Sequence, residues 1–174
     1  MRAKNNKGFS YVEMIMVLAF MAIMIGIVTI SIGTVNRNTV YRTSEKLESL
    51  SNKARTNALA KGKDNGYLNI CEVGGGVYVY VGEMVSDPNV VRSKGEKICS
   101  SDYEVGIQFL GTGLTWTRDK AVHRWAFKQT TGGIIDGGDP ASCPATAKVV
   151  VRKKNNTVKQ SAFQIWWMTG KSFR

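Results

Sequence analysis

The chain has 174 residues and a formal net charge of +11, with 24 Lys and Arg against 13 Asp and Glu. This length suits one domain plus an additional element. None of the three cysteines belongs to a Cys-x-x-Cys pair, and the single histidine, His123, has no cysteine beside it, which argues against a zinc site.

The positive charge is concentrated at the two ends of the chain. Residues 1–8 contain Arg2, Lys4 and Lys7 and no acid. Residues 146–174 also lack acids, and their basic residues are Lys148, Arg152, Lys153, Lys154, Lys159, Lys171 and Arg174. The intervening residues 67–145 are mildly negative, so a whole-chain charge hides the contrast between the ends and the body.

An uncharged apolar run follows the basic leader, from Met14 to Gly33. At a helical rise of about 1.5 Å per residue, this run spans roughly 30 Å, the thickness of the hydrocarbon core of a bilayer. It therefore predicts a membrane-spanning helix, with the basic leader on the cytoplasmic side. No small-x-small cleavage site follows the run, so the expected scissile bond precedes it, at Gly8-Phe9.

The stretch Lys7-Gly8-Phe9-Ser10-Tyr11-Val12-Glu13 and the apolar run behind it resemble the class III signal of type IV pilins and type II secretion pseudopilins. The resemblance implies that a prepilin peptidase cuts after Gly8 and methylates the new N-terminus, Phe9. It also implies an α+β pilin fold, in which a long N-terminal helix packs on an antiparallel β-rich head. The implied segments are a leader 1–8, a transmembrane and assembly helix 9–33, an amphipathic helix 34–62 and a globular head 63–174.

Glu13 takes the position of the family's assembly glutamate. A lone carboxylate in lipid is costly and is usually paired. The resemblance implies that Glu13 meets the terminal amine of a neighbouring subunit, so that both charges are neutralised on assembly. The alternative is an interfacial acid that only reaches towards water. The absence of proline between Met14 and Gly33 departs from major pilins and favours a minor subunit.

Helical periodicity continues beyond the apolar run. The apolar positions recur at spacings of three, four and seven, and they are Val40, Leu47, Leu50, Ala54 and Ala58. The segment Lys61-Gly62-Lys63 suits a helix end, since cations and a glycine are typical of helix C-termini. One helix from about Phe9 to Lys61 is therefore predicted.

The pattern beyond residue 62 is typical of strands and hairpins. The predicted strands are Tyr67–Val73, Val77–Val81, Val105–Leu110, Leu114–Thr117, Trp125–Gln129, Ala147–Arg152 and Val158–Trp167, and Thr130–Pro144 is predicted as a loop. Phe163, Ile165 and Trp167 are expected on one face of the last strand. The ending Thr169-Gly170-Lys171 and the stretch Val105–Phe109 resemble pseudopilin H and the FimT-type minor pilins.

Nothing in the sequence favours an enzyme or a cofactor. The glycine clusters lack the Gly-Lys-Ser/Thr ending of a phosphate loop in a strand–loop–helix unit, and turns explain them better. Asp136 and Asp139 are too few to argue a calcium site. His123 lies in a charged turn without a nucleophile elbow nearby. Outside the cytosol, three cysteines would give one disulfide and one remaining thiol, with every pairing of Cys71, Cys99 and Cys143 left open.

The basic end offers possible nucleic-acid contacts, for which the candidates are Lys153, Lys154, Lys171 and Arg174. Cations interleaved with Trp166, Trp167 and Phe173 are typical of a surface that follows phosphates and stacks bases. Some FimT-type minor pilins bind DNA through a basic C-terminal tail, which Gly170–Arg174 matches loosely. The alternative is a solvated hairpin whose aromatic residues belong to the core.

The resulting interpretation is a minor pilin or pseudopilin at or near the tip of a type IV pilus or a type II secretion pseudopilus. Its expected partners are other such subunits, prepilin peptidase and membrane lipid through residues 14–33. Its expected location is the bacterial inner membrane, as a single-pass protein with the leader cytoplasmic and the head on the outer side. The alternative function is a DNA-binding minor pilin of a natural-competence system.

Overall fold

The computed structural model describes residues 10–109, 115–117, 120–135, 146–166 and 168–173. It divides the chain into two compact units, one ending at Asn36 and the other beginning at Arg37. Helix α1, Tyr11–Lys61, contributes residues to both. The helix ends where Gly62 adopts a φ of +97° and donates its N–H to the Ala58 carbonyl at 3.1 Å, a conformation that glycine adopts without strain.

The membrane-spanning expectation is contradicted. Within its described residues the chain has no helix with the length and apolarity that a bilayer crossing requires. The predicted fold class with its transmembrane half and the predicted single-pass inner-membrane location are therefore wrong.

Within its described residues, the second unit contains two five-stranded antiparallel sheets. Sheet A has the order β3-β2-β1-β6-β7, with strands β1 Tyr67–Val73, β2 Gly76–Gly82, β3 Glu96–Ser100, β6 His123–Phe127 and β7 Ile134–Ile135. Sheet B has the order β10-β9-β8-β4-β5, with strands β4 Tyr103–Phe109, β5 Thr115–Trp116, β8 Thr146–Lys153, β9 Asn156–Trp166 and β10 Ser172–Phe173.

The predicted hairpins are present. Strands β1 and β2 join through Gly74 and Gly75, whose φ values of +55° and +78° suit the two-residue turns that match strand twist. Strands β8 and β9 pair from Thr146↔Trp166 to Lys153↔Asn156. Strands β4 and β5 also pair, and the glycine-containing connection predicted between them lies outside the described residues.

Several short elements of the described residues were not predicted from the sequence. Strand β7 lies inside the segment predicted as a loop, and β3 and β10 have too few alternating residues to be recognised. A 3₁₀ turn, Lys63–Asn65, follows α1. Helix α2, Pro88–Lys94, was also missed, although Asp87 caps it by accepting the Asn89 N–H at 2.9 Å and proline occupies its first position.

The core forms between the second part of α1 and the two sheets. Leu47, Ala54 and Ala58 are fully buried, as the periodicity predicted. They belong to one cluster with the large side chains of both sheets, which include Leu68, Ile70, Trp125, Phe127, Phe163 and Ile165. Gly66 lies so close to Ala58 that no side chain fits between them, because a Cβ at Gly66 would overlap the Ala58 methyl group.

Candidate functional site

The N-terminus of α1 is built around Ser10 and Glu13. Ser10 donates its backbone N–H to Glu13 Oε2 at 3.2 Å, and Met14 donates its N–H to the Ser10 carbonyl at 3.1 Å. With Ser10 at the N-cap, Glu13 is the third helical residue, which is the position from which a glutamate reaches back in a capping box. Its negative charge also suits the positive end of the helix dipole.

This local role of Glu13 was missed, although the sequence contains its signal. Ser-x-x-Glu ahead of an apolar run is the pattern of a capping box, and residues 10–13 read Ser-Tyr-Val-Glu. The predicted cleavage site, Gly8 and Phe9, lies outside the described residues. The structure therefore gives Glu13 a hydrogen-bond partner within its own chain. Cleavage between Gly8 and Phe9 stays a prediction.

The first turns of α1 present a large apolar surface, here called the apolar helix surface. Its side chains are 47% to 80% exposed, and they are Tyr11, Val12, Met14, Ile15, Met16, Val17, Leu18, Phe20, Met21, Ile23, Met24 and Ile25. These positions lie on all sides of the helix. A helix that is apolar all round is normally buried. Contiguous exposed apolar surface of this kind marks an interaction site.

The structure does not gather the candidate nucleic-acid residues into one cluster. Lys153 and Lys154 lie at the turn between β8 and β9, and Lys171 lies beyond the other end of β9. At about 3.3 Å per residue, the 11 residues of β9 span roughly 33 Å. Arg174 lies outside the described residues.

Two of the basic side chains near this turn are engaged within the protein. Lys154 Nζ lies 2.7 Å from Glu72 Oε1 and 2.9 Å from Glu72 Oε2. Arg152 donates from Nε to Glu104 Oε1 at 2.7 Å, and its guanidinium lies 3.7 Å from the centre of the Trp116 ring. Since Glu104 is fully buried, Arg152 compensates a charge that would otherwise be costly.

The Thr169-Gly170-Lys171 motif forms a structural turn. Gly170 has a φ of +62°, and a Cβ there would collide with the Gly132 carbonyl oxygen and the Phe127 ring. Arg55 Nε of α1 donates to the Thr169 carbonyl at 2.5 Å. Asn52 Nδ2 of the same helix donates to Ser172 Oγ at 3.2 Å. Packing thus explains the glycine, while Lys171 itself is exposed.

Cys71 and Cys99 are free and buried. Cys71 lies opposite Tyr78 and Cys99 lies opposite Val77, so the two cysteines project from opposite faces of sheet A. Burial raises the pKa of the Cys71 thiol to about 11. Burial is also the largest cause that raises the pKa of the Cys99 thiol, to about 12. The structure therefore contradicts a disulfide between these two residues. Cys143 lies outside the described residues.

The remaining sites considered from the sequence give no cluster. His123 begins β6 opposite Ile70, and Asp136 and Asp139 lie outside the described residues. In the described part of the chain no three His, Cys, Asp or Glu side chains are placed to hold a metal ion. A cavity of about 400 Å³ beside the β1–β2 turn is lined by Lys120 and by Glu72, which already pairs with Lys154.

Comparison with family models, with curated proteins and with solved structures finds no match for this chain. The apolar helix surface and Glu13 are therefore the candidate functional site on physical grounds. They combine a surface that favours burial with one carboxylate at its beginning.

Proposed function

We propose that the protein is a structural subunit of a filament, of the minor pilin or pseudopilin type, that assembles through the N-terminal part of α1. The observation that carries this proposal is the apolar helix surface, which is exposed on all sides in the single chain. Its proposed occupants are the corresponding helices of neighbouring subunits. The sequence Gly8-Phe9 with Glu13 supports the same assignment through its resemblance to the pilin signal.

Helix association would remove a large unfavourable exposure. Full burial of one Leu, Ile, Val, Phe or Met side chain contributes roughly 1.5–3 kcal/mol. The apolar helix surface contains about a dozen such side chains, so burying half of them contributes at most roughly 9–18 kcal/mol, which is of the same order as an association cost of roughly 4–15 kcal/mol. Several neighbouring helices are required, because one partner covers only one side.

Glu13 would determine the register of this packing. A carboxylate has two oxygens and accepts several hydrogen bonds, so Glu13 can keep its bond from Ser10 and also meet the Phe9 amine of a neighbouring processed subunit. An amine and a carboxylate that are both desolvated by association favour the one alignment in which they meet. Prepilin peptidase is the proposed enzyme that creates this amine.

The two roles of Glu13 can be separated by substitution. Glu13→Gln retains an acceptor for the Ser10 N–H, since glutamine also serves in a capping box, but removes the charge. Glu13→Ala removes both. We expect both variants to enter filaments poorly, measured by crosslinking to other subunits through cysteines introduced on the apolar helix surface. Glu45→Ala, an exposed acid farther along α1, is the matched control.

Normal assembly of Glu13→Gln together with poor assembly of Glu13→Ala would show that the residue acts only as a helix cap. Normal assembly of both variants would contradict the proposed register role. Failure of the unaltered chain to crosslink with any pilin-like subunit, in cells that process it, would contradict the filament function itself.

The alternative of a DNA-binding competence pilin remains a prediction. Its candidate cations lie at opposite ends of β9, and Lys154 is paired with Glu72, so no described feature favours the tail as a single DNA contact. Charge reversal at Lys153 and at Lys171 tests it without disturbing that pair.

A further inference from the structure

The cavity of about 400 Å³ beside the β1–β2 turn lies outside the candidate functional site. Its lining comes from the end of β1 and the glycine turn behind it, from the first residues of α2, and from the loop that precedes β6. Pockets that hold small molecules have volumes of roughly 300–1,000 Å³ and combine apolar walls with a few polar groups. Here Val73 and Pro88 are the apolar part, and the polar side chains are Glu72, Asn89 and Lys120.

Arg92 places its guanidinium over the glycine turn that lines this cavity. A Cβ at Gly74 would lie 2.6 Å from Arg92 Nη1 and 2.7 Å from its Cζ, so the guanidinium occupies this position only because residue 74 has no side chain. Arg92 follows Asn89 by three residues on α2, a spacing that puts both on one face of a helix. Arg92 is exposed, and in the described part of the chain no ion pair involves it. Its planar fork of donors therefore suits a carboxylate from outside the chain.

Lys120 lines the cavity in a backbone conformation that is uncommon for a residue with a Cβ. Its φ is +61°, and its backbone N–H donates to the Thr117 carbonyl at 3.1 Å. Residues held in this conformation are strained, and they are concentrated at ligand-binding and active sites. The side chain of Lys120 is exposed, and the ion pairs between described residues do not include it. Lys120 thus gives the same cavity a second cation.

Glu72 gives the cavity a hydrogen-bond acceptor whose charge is already compensated. Both of its carboxylate oxygens contact Lys154 Nζ, at 2.7 and 2.9 Å. A carboxylate accepts about four hydrogen bonds, so Glu72 can still accept from a ligand. A neutral hydroxyl fits there better than an ammonium, because an ammonium would lie close to the Lys154 charge. Asn89 offers a side-chain amide beside it, while the Asn89 backbone N–H is used by Asp87, the cap of α2.

We propose that this cavity binds a small hydroxylated carboxylate, the chemical class of hydroxy acids and sugar acids. The ligand carboxylate is bound by Arg92 and Lys120. Its hydroxyl groups donate to Glu72 and exchange hydrogen bonds with the Asn89 amide. The proposal does not depend on the filament function, since the cavity involves neither the apolar helix surface nor Glu13.

The test is a titration of the ¹⁵N-labelled full chain with glucuronate, followed by NMR, which reports affinity and location together. We expect saturable shifts of the backbone amide signals of Gly74, Gly75 and Asn89. Three further ligands separate the contributions: glucose has hydroxyls without the charge, propionate has the charge without hydroxyls, and inorganic phosphate is a general anion. We expect glucuronate to bind at least about tenfold more tightly than each, since each lacks part of the matched set of hydrogen bonds.

The variants test the two cations separately. Arg92→Gln is expected to weaken glucuronate binding about tenfold, because charge-assisted hydrogen bonds are lost, and Arg92→Lys is expected to be intermediate. Lys120→Gly removes the ammonium and relieves the backbone strain, so it should weaken binding without lowering the urea midpoint of unfolding. Arg42→Gln and Lys53→Gln change exposed cations of α1, and as matched controls they should leave binding unchanged.

Four results would overturn the proposal. Absence of saturable shifts with glucuronate would show that the cavity takes no such ligand, and shifts confined to residues away from the cavity would place the contact elsewhere. Equally tight binding of phosphate, propionate or glucose would show that the combination of carboxylate and hydroxyls is not recognised. Binding by Arg92→Gln and Lys120→Gly that matches the two controls would show that neither cation contacts the ligand.

Discussion

Lys154 and Glu72 form an ion pair that joins the two sheets of the second unit. Lys154 lies in the turn between β8 and β9 of sheet B, and Glu72 lies in β1 of sheet A. The ammonium contacts both carboxylate oxygens, and the side chains are 30% and 13% exposed. The backbone N–H of Lys154 also donates to the Asp102 carbonyl at 2.9 Å. The turn is therefore fixed both by the side chain of Lys154 and by its backbone.

Removing this lysine is expected to destabilise the protein. Lys154→Ala leaves the largely buried Glu72 without its partner, which costs roughly 1–3 kcal/mol. The free energy of unfolding measured in urea checks this. Lys94→Ala is the matched control, because its pair with Glu83 is exposed on both sides and contributes little. Equal midpoints for the two variants would show that Glu72 finds solvent or another cation.

The turn at Gly170 gives a second prediction. Gly170→Ala combines a left-handed backbone, costing roughly 1–3 kcal/mol for a residue with a Cβ, with a collision against the Gly132 carbonyl. Gly75→Ala is the control, since its φ is also positive but nothing lies within 4 Å of the added methyl group. The expected loss of stability is clearly greater at Gly170. A similar loss at both glycines would mean that only the backbone conformation matters.

Much of this fold follows from local sequence rules, and the differences between the predicted and the observed elements have identifiable causes. The hairpin β1–β2 was predicted because Gly74 and Gly75 can adopt positive φ and the flanking residues favour strands. Strand β7 was not predicted, since it consists of Ile134 and Ile135 alone, which is too short a run to show strand alternation, and it forms by pairing with Phe127 and Ala126.

The candidate site also has features that the sequence predicted and features that it did not. The apolar helix surface was evident from composition, but the sequence could not show which basic residues form ion pairs within the protein. Glu72 and Lys154 are far apart in the chain, and no local pattern connects them. The placement of Lys148 and Phe173 on either side of Gln164 likewise depends on strand register, which brings residues from three strands side by side.

Processing gives a third prediction. Cleavage at Gly8-Phe9 would leave the Phe9–Ser10 peptide bond intact, so the Ser10 N–H that Glu13 accepts is retained in the mature chain. We expect intact-mass analysis of protein from cells with prepilin peptidase to show a chain beginning at Phe9 with one added methyl group. Gly8→Pro should block the cut. An uncut chain from such cells would remove the support that the resemblance gives to the filament function.

The buried thiols give the last prediction, which concerns pH. Because burial disfavours the thiolate, the pKa values of Cys71 and Cys99 are raised to about 11 and about 12 in the folded protein, from a usual value near 9. Above pH 9 the unfolded chain loses these protons while the folded chain keeps them. The stabilisation is therefore complete below pH 9 and declines as the pH rises towards 11 and 12.

Two measurements check the behaviour of the thiols. The free energy of unfolding should fall between pH 9 and 11, and the fall should be smaller in Cys71→Ala and Cys99→Ala when each is compared with its own value at pH 8. At pH 8 an alkylating reagent should modify the two thiols slowly in the folded protein and rapidly in urea, since only the thiolate reacts. Rapid alkylation of both thiols in the folded protein would show that the two cysteines are accessible and that their pKa values are not raised.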